Sequence, residues 1–300
     1  MNTTNLRFQS NRVRDIVGLF HKELDDLYGQ GETGAFVTML FEAFLGWDKV
    51  QLLTGKERTV NQSDLLRFHW ALEDLERQRP IQHIVGYSVF CDCRVAVNPH
   101  VLIPRPETEE MVRSLILYAE SRMGKTDAGF EVLDLCTGSG CIAIAMKKAF
   151  PEANVTAVDI SDDALDMAQG NARENGTDVR FLQADVLDPD FRVQDLKYDL
   201  IISNPPYVRE SERRLMKANV LQYEPATALF VPDEDPLRFY RSVAGIARRG
   251  LKTDGMLAVE FNEALKEATC GTLKEFGFSP VPQRDFRGKW RWLTACRANQ

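Results

Sequence analysis

Apolar residues recur at three- and four-residue steps through the first eighty positions. Val13, Ile16, Val17, Phe20, Leu24 and Leu27 fall on one helical face. A second helix carries Phe36, Val37, Leu40, Phe41 and Phe44, with Thr33 as its expected cap and Gly46 at its C-terminal end. A short piece starts at Asp48. A further helix runs from about Ser63 to Arg77, with Leu65, Phe68, Leu72 and Leu75 in register, and Pro80 ends it. The spacing predicts a small helical bundle over residues 1–84.

The period then changes. Ser88-Val89-Phe90 and Arg94-Val95-Ala96-Val97 flank Cys91-Asp92-Cys93 and predict a β-hairpin inside a linker at 85–104. Ile103-Pro104-Arg105-Pro106 is extended, because each proline restrains the residue before it. Helical spacing returns over Glu107 to Glu120. From Phe130 strands and helices alternate: strand 130–135, helix 141–150, strand 154–158, helix 161–175, strands 179–182 and 199–202, helix 235–249, strand 255–260 and helix 263–276. Two closing strands are expected at 278–282 and 290–295. This alternation predicts an α/β domain over 105–300, with a mostly parallel sheet covered by helices on both faces and an antiparallel closing edge.

Composition narrows the class. The chain has 300 residues, 44% hydrophobic and 27% charged, the balance of an ordinary globular protein rather than a disordered or fibrous one. No apolar run is long enough for a membrane helix, and the polar start Met1-Asn2-Thr3-Thr4-Asn5 does not read as a signal peptide. The six cysteines lack C-x-x-C spacing and the four histidines lack metal-ligand spacing. Reduced thiols in a cytoplasmic protein without a metal are therefore expected. A formal net charge of −7 argues against a protein that grips long stretches of nucleic acid.

Three motifs carry chemistry. Asp134-Leu135-Cys136-Thr137-Gly138-Ser139-Gly140 ends the first sheet strand and opens a helix, so its glycines let the chain turn sharply beside a ligand. It matches neither G-x-G-x-x-G nor a P-loop. Asp159 ends the next strand. An acidic residue there accepts hydrogen bonds from a ribose diol, or caps the helix that follows. The pair implies a nucleoside cofactor without choosing between nicotinamide and S-adenosylmethionine. Asn204-Pro205-Pro206-Tyr207 makes that choice. The Asn204 side-chain carbonyl and the Pro205 main-chain carbonyl are two acceptors suited to a planar –NH2 group, and Tyr207 adds an aromatic face or edge. Such a nitrogen is a poor nucleophile, and holding both its N–H groups aims it at a sulfonium methyl.

On these residues the sequence resembles the protein-glutamine methyltransferases of the release factor glutamine methyltransferase family, also called HemK or PrmC. The resemblance runs from about Leu24 to Arg297. It includes Pro80 to Gly86, Val101 to Glu109, Asp134 to Gly140, Asp159, Asn204 to Tyr207, and Tyr223 to Leu229. It implies a Rossmann-like methyltransferase domain with a seven-stranded sheet, joined by a β-hairpin to a helical domain that recognises the substrate. It also implies S-adenosyl-L-methionine as cofactor, and the Gly-Gly-Gln glutamine of class-I peptide chain release factors as methyl acceptor. By position, Cys136, Thr137, Gly138, Ser139 and Gly140 would wrap the methionine end, Asp159 the ribose, and Asp185 and Val186 the adenine. Asn204, Pro205, Pro206 and Tyr207 would bind the glutamine amide, with Asn204 also next to the cofactor. Arg105 and Glu109 lie near the site, in contact with it or in supporting ion pairs.

Two positions depart from the family pattern. Cys136 stands where glycine is frequent, and its backbone is expected to be ordinary. Phe261-Asn262-Glu263 replaces a run that often holds a glycine, so the surroundings of that strand end are expected to differ. The alternatives are a ribosomal-protein glutamine methyltransferase, an adenine or cytosine amino-methyltransferase on nucleic acid, a nicotinamide oxidoreductase, and a binding module that has lost activity.

Overall fold

The computed structural model describes residues 7–122, 128–192 and 197–298; the polar start Met1–Asn5 lies outside them. The chain separates into two compact units. One holds the chain up to Gly86 together with Ala218–Tyr223, and the other holds Tyr87–Lys217 and Glu224–Gln300.

The first unit is built from α1 (Val13–Tyr28), α2 (Gln30–Leu45), α3 (Lys49–Thr54), α4 (Gln62–Glu76) and α5 (Ile81–Val85). The apolar stripes meet in an aromatic core. Phe20, Leu24, Leu40, Phe41, Phe68 and Leu72 are fully buried, and the Phe41 and Phe68 rings lie 4.5 Å apart. Thr33 is not a cap, contrary to expectation. Gly29, with φ 81°, ends α1 and starts α2 in one residue, so Thr33 falls inside α2 and donates its N–H to the Gly29 carbonyl. Only glycine takes that conformation freely, which is why the turn needs no longer loop. Gly46 caps α2 in the left-handed region, and Asp48 forms a capping box with Gln51 at the start of α3. The helix α4 stops before Pro80, at Glu76, and Pro80 begins α5 instead.

The second unit opens with a hairpin of β1 (Tyr87–Phe90) and β2 (Cys93–Ala96). Its two turn residues, Cys91 and Asp92, both have positive φ, the turn geometry that matches the right-handed twist of paired strands. Phe90, Cys91, Cys93 and Val95 are buried in the core of this unit. Then follow α6 (Pro106–Arg122), β3 (Glu131–Leu135), α7 (Cys141–Ala149), β4 (Asn154–Asp159), α8 (Asp162–Glu174), β5 (Arg180–Gln183) and β6 (Tyr198–Ser203). After the short strand β7 (Val208–Arg209) come α9 (Ala218–Tyr223), β8 (Phe230–Val231), α10 (Arg238–Gly250), β9 (Leu251–Glu260), α11 (Lys266–Glu275), β10 (Phe278–Arg284) and β11 (Trp290–Arg297). The helix α9 groups with the bundle.

Seven strands form one sheet in the order β10-β11-β9-β6-β3-β4-β5. The contacts from β9 through β5 are parallel, and β11 pairs antiparallel with both β9 and β10. Alternate residues of the central strands fill two cores. Val132, Leu200 and Ala258 pack on one face with Met111, Val112 and Ile144. Leu133, Ile201 and Leu257 pack on the other with Tyr240, Val243 and Leu273. The chain reverses its direction of winding between β3 and β6, so their carboxyl ends open a crevice where ligands of such sheets bind.

Asn171 on α8 stitches the hairpin to the loop after β3. It is 1% exposed, its Oδ1 accepts from the Ala96 N–H, and its Nδ2 donates to the Ala96 and Ser139 carbonyls. Asn171→Leu strands three main-chain groups away from water. It is expected to lower stability by about 2–4 kcal/mol, read as a fall in the urea midpoint. A midpoint equal to wild type contradicts this role.

Candidate active site

A cavity of ≈ 330 Å³ opens at the carboxyl ends of β3, β4 and β6. Its lining includes Cys136, Thr137, Gly138, Ser139, Asp159, Asp185, Val186, Asn204 and Pro206 of the expected residues. Gly140, Pro205 and Tyr207 are not part of that lining.

The floor is the loop after β3. Cys136 has φ 61°, in the left-handed region, which corrects the expectation of an ordinary backbone there. Such a conformation costs a non-glycine residue about 1–2 kcal/mol. Anchors on its C-terminal side hold it. The Thr137 N–H donates to the Val158 carbonyl at 3.0 Å, and its hydroxyl donates to Asp134 Oδ2 at 2.5 Å. Asp134 Oδ2 also accepts from the Ala143 N–H at 3.2 Å, so one carboxylate spans the turn. Burial, with Asp159 and Asp134 nearby, pushes the Cys136 thiol up, so it stays protonated and is no nucleophile. Gly140, φ 80°, is the other tight point, since a Cβ there would lie 2.9 Å from Ala168 Cβ on α8. At Gly138 an added Cβ would meet nothing, so the backbone is open to a ligand.

Asp159 ends β4. Its Oδ2 accepts from the Gly138 N–H at 2.8 Å and its Oδ1 from the Ser161 N–H at 3.0 Å. The cap of α8 is Ser161, whose hydroxyl oxygen accepts from the Ala164 N–H, so Asp159 is not the cap. Each Asp159 oxygen keeps a further lone pair. Asp185 is exposed, and its Oδ1 accepts from the Leu187 N–H at 2.8 Å. Val186, Leu187 and Phe239 give the cavity an apolar wall.

The fourth strand end is the most connected. Asn204 Nδ2 donates to Thr108 Oγ1 at 3.1 Å, and Thr108 Oγ1 donates to Glu260 Oε2 at 2.6 Å. The Tyr207 hydroxyl donates to Glu260 Oε1 at 2.8 Å. Burial pushes the Glu260 carboxyl up, against the pull of those two hydroxyls and Arg291. Burial and Glu260 together push the Tyr207 phenol well up, so it remains a donor. Asn262 lies in the run Phe261-Asn262-Glu263, just past the end of β9. Its Nδ2 donates to the Tyr207 carbonyl at 3.2 Å and to Glu212 Oε2 at 2.8 Å.

Sequence reasoning did not single out Thr108, Glu260, Asn262 or Glu224 as site residues. One signal was available: Glu260 is the lone carboxylate closing the apolar run Met256-Leu257-Ala258-Val259. Glu224, with its side chain 1% exposed, pairs with Arg105 at 2.7 Å and accepts from the Ile103 N–H at 3.1 Å. Arg105 thus stands on the cavity wall, whereas Glu109 pairs with Arg113 at 2.8 Å on the surface of α6.

Known proteins resemble this chain along most of its length. The family described as Methyltransferase small domain matches residues 119–229, and that described as PrmC N-terminal domain matches residues 27–86. A release factor glutamine methyltransferase from Bacteroides thetaiotaomicron is 40% identical over 283 residues, covering 94% of this chain and 99% of that protein. One of the same description from Flavobacterium psychrophilum is 39% identical, covering 91% and 95%. The solved structure of a ribosomal protein L11 methylase from Lactobacillus delbrueckii subsp. bulgaricus is 23% identical, with a TM-score of 0.46, covering 66% of this chain and 82% of its own.

Asp134 makes stability depend on pH. It is fully buried, its Oδ1 has no hydrogen-bond partner among the described residues, and burial raises its carboxyl from 3.8 to about 7, against the Thr137 and Ala143 hydrogen bonds. The folded state therefore binds the proton more tightly than the unfolded chain. The stability this contributes is complete below about pH 4 and is lost as pH rises through about 7. Urea denaturation is expected to show wild type losing up to about 1.4 kcal/mol per pH unit between pH 5 and 7 from this group, and Asp134→Asn losing less. Equal slopes in the two proteins contradict the assignment.

Proposed function

This chain belongs to the release factor glutamine methyltransferase family and is an S-adenosylmethionine-dependent methyltransferase, and on that premise we propose its substrate and the roles of its residues. It methylates the side-chain amide nitrogen of the glutamine in the Gly-Gly-Gln motif of class-I peptide chain release factors. The observation that carries this reading is the meeting of three sequence motifs at one cavity: the loop 136–139, Asp159 and Asn204 line it together.

The cavity suits a nucleoside with an amino-acid tail. Its floor is bare backbone at Gly138, its rim carries the Asp159 carboxylate with acceptor capacity to spare, and its far wall is apolar. Cys136 to Gly140 hold the methionine end, Asp159 accepts from the ribose hydroxyls, and Asp185 and Val186 flank the adenine. When bound, S-adenosylmethionine supplies an electrophilic methyl group on a sulfonium sulfur, and its transfer leaves a neutral thioether.

The substrate amide is held by acceptors alone. Asn204 Oδ1 and the Pro205 carbonyl each take one of its N–H groups. Pro205 and Pro206 bring no main-chain N–H to compete for them. Both prolines are buried, which fixes the carbonyl direction. Two acceptors on one amide raise electron density on its nitrogen as the N–C bond forms, and they stabilise positive charge growing there. The methylated nitrogen is acidic, so its surplus proton passes to water without a strong base. Tyr207 keeps its proton and supports the run from behind through Glu260.

The test is methyl transfer to a purified class-I release factor, with the modified residue located by peptide mass spectrometry. One added methyl on the Gly-Gly-Gln glutamine, absent when that glutamine is alanine, is expected. Modification of a ribosomal-protein glutamine or a nucleic acid amine instead overturns the substrate assignment. Asn204→Ala is expected to bind cofactor nearly as wild type while turnover falls on the order of 100-fold. Unimpaired turnover in that variant removes the amide grip.

A further inference from the structure

A carboxamide has two ends of similar size and opposite hydrogen-bonding sense. Asn204 grips a donor –NH2 group only with its carbonyl end toward it. Turned over, it presents N–H groups to N–H groups, and the grip becomes a repulsion. Nothing in Asn204 itself chooses between the two states.

We propose that Thr108 and Glu260 are positioning residues that fix the Asn204 carboxamide with its Oδ1 toward the substrate, an inference that rests on the amide-grip reading above. A threonine hydroxyl has one proton. Thr108 spends it on Glu260 Oε2 at 2.6 Å, the shortest link in the chain. Its oxygen is left only to accept, and it takes the Nδ2 end of Asn204 at 3.1 Å. The carbonyl end is thereby turned away from Thr108. Thr108 is 2% and Glu260 1% exposed, so bulk water does not compete for these bonds. Thr108 and Asn204 both line the cavity, so the bond between them lies at its wall. The other Glu260 oxygen takes the Tyr207 hydroxyl at 2.8 Å, so one carboxylate braces both ends of Asn204-Pro205-Pro206-Tyr207.

The arrangement also bears on specificity. An acceptor aimed at the substrate favours glutamine and repels the carboxylate of glutamate. If the Thr108 hydroxyl is removed, the carboxamide is free to turn and its Nδ2 can donate to that carboxylate. A merely structural role for Thr108 has no such consequence.

The experiment uses the full chain with a class-I release factor as substrate, and compares wild type, Thr108→Val and Thr108→Ser. Thr108→Val is expected to lower kcat about 10- to 100-fold, with cofactor affinity by calorimetry nearly unchanged. Inhibition by a Gly-Gly-Glu peptide is expected to strengthen about tenfold in the same variant. Thr108→Ser keeps the hydroxyl and is expected to hold kcat within about threefold of wild type. If Thr108→Val fails to bind cofactor, Thr108→Ala, which adds no bulk, replaces it under the same expectations. Wild-type turnover in Thr108→Val overturns the inference, as does a Thr108→Ser variant that falls equally far. If Asn204→Ala is inactive while Thr108→Val is unimpaired, only the positioning role fails. Full activity of Asn204→Ala overturns the amide grip and the positioning role together.

Discussion

The strands β3, β4 and β9 each carry a carboxylate at or next to their carboxyl end, and each holds the adjoining loops by accepting their donors. Asp134 on β3 takes Thr137 and Ala143, Asp159 on β4 takes Gly138 and Ser161, and Glu260 on β9 takes Thr108 and Tyr207. The cavity walls depend on these six bonds. Carboxyl oxygens suit this task, because loops that turn sharply leave N–H and O–H donors unpaired. Burial makes the arrangement costly, and that cost appears as raised carboxyl groups at Asp134 and Glu260.

The same bonds explain how strain persists at Cys136. A left-handed cysteine survives because the Thr137 N–H and hydroxyl are tied to two different strands immediately after it. The Asp159 bond to Gly138 then links the loop floor to the cavity rim. The loop after β3 and the residue proposed to bind the ribose are thus one mechanical unit rather than two neighbouring features. Ser203 adds a cross-strand tie, donating to the Leu135 carbonyl at 2.8 Å beside the start of Asn204 to Tyr207.

Most of the architecture was legible in the sequence. Central parallel strands are buried on both faces, so they read as apolar runs such as Leu200 to Ile202 and Met256 to Val259, and the intervening helices keep their own period. The antiparallel closing edge was legible for a different reason: two strand-like runs, 278–282 and 290–295, follow each other with no helix between them. What failed was local geometry set from a distance. Thr33 resembles a cap by residue type, but Gly29 had already started the helix. Cys136 looked ordinary because positive φ is unfavourable for it, and the bonds that enforce it come from Val158 and Asp134. Thr108 and Glu260 stand 152 positions apart, and no local pattern announces that their side chains meet. Single residues at strand ends could be read as candidates for chemistry, whereas the contacts that orient them could not.

The proposed methyl transfer depends on the orientation of one amide between two acceptors. A crystal structure of the protein with S-adenosylhomocysteine and a Gly-Gly-Gln peptide tests that most directly. The glutamine Nε2 is expected within about 2.7–3.2 Å of both Asn204 Oδ1 and the Pro205 carbonyl, with Asn204 Nδ2 still on Thr108. A glutamine amide held elsewhere in the cavity, or an Asn204 carboxamide turned with Nδ2 toward the peptide, would contradict it.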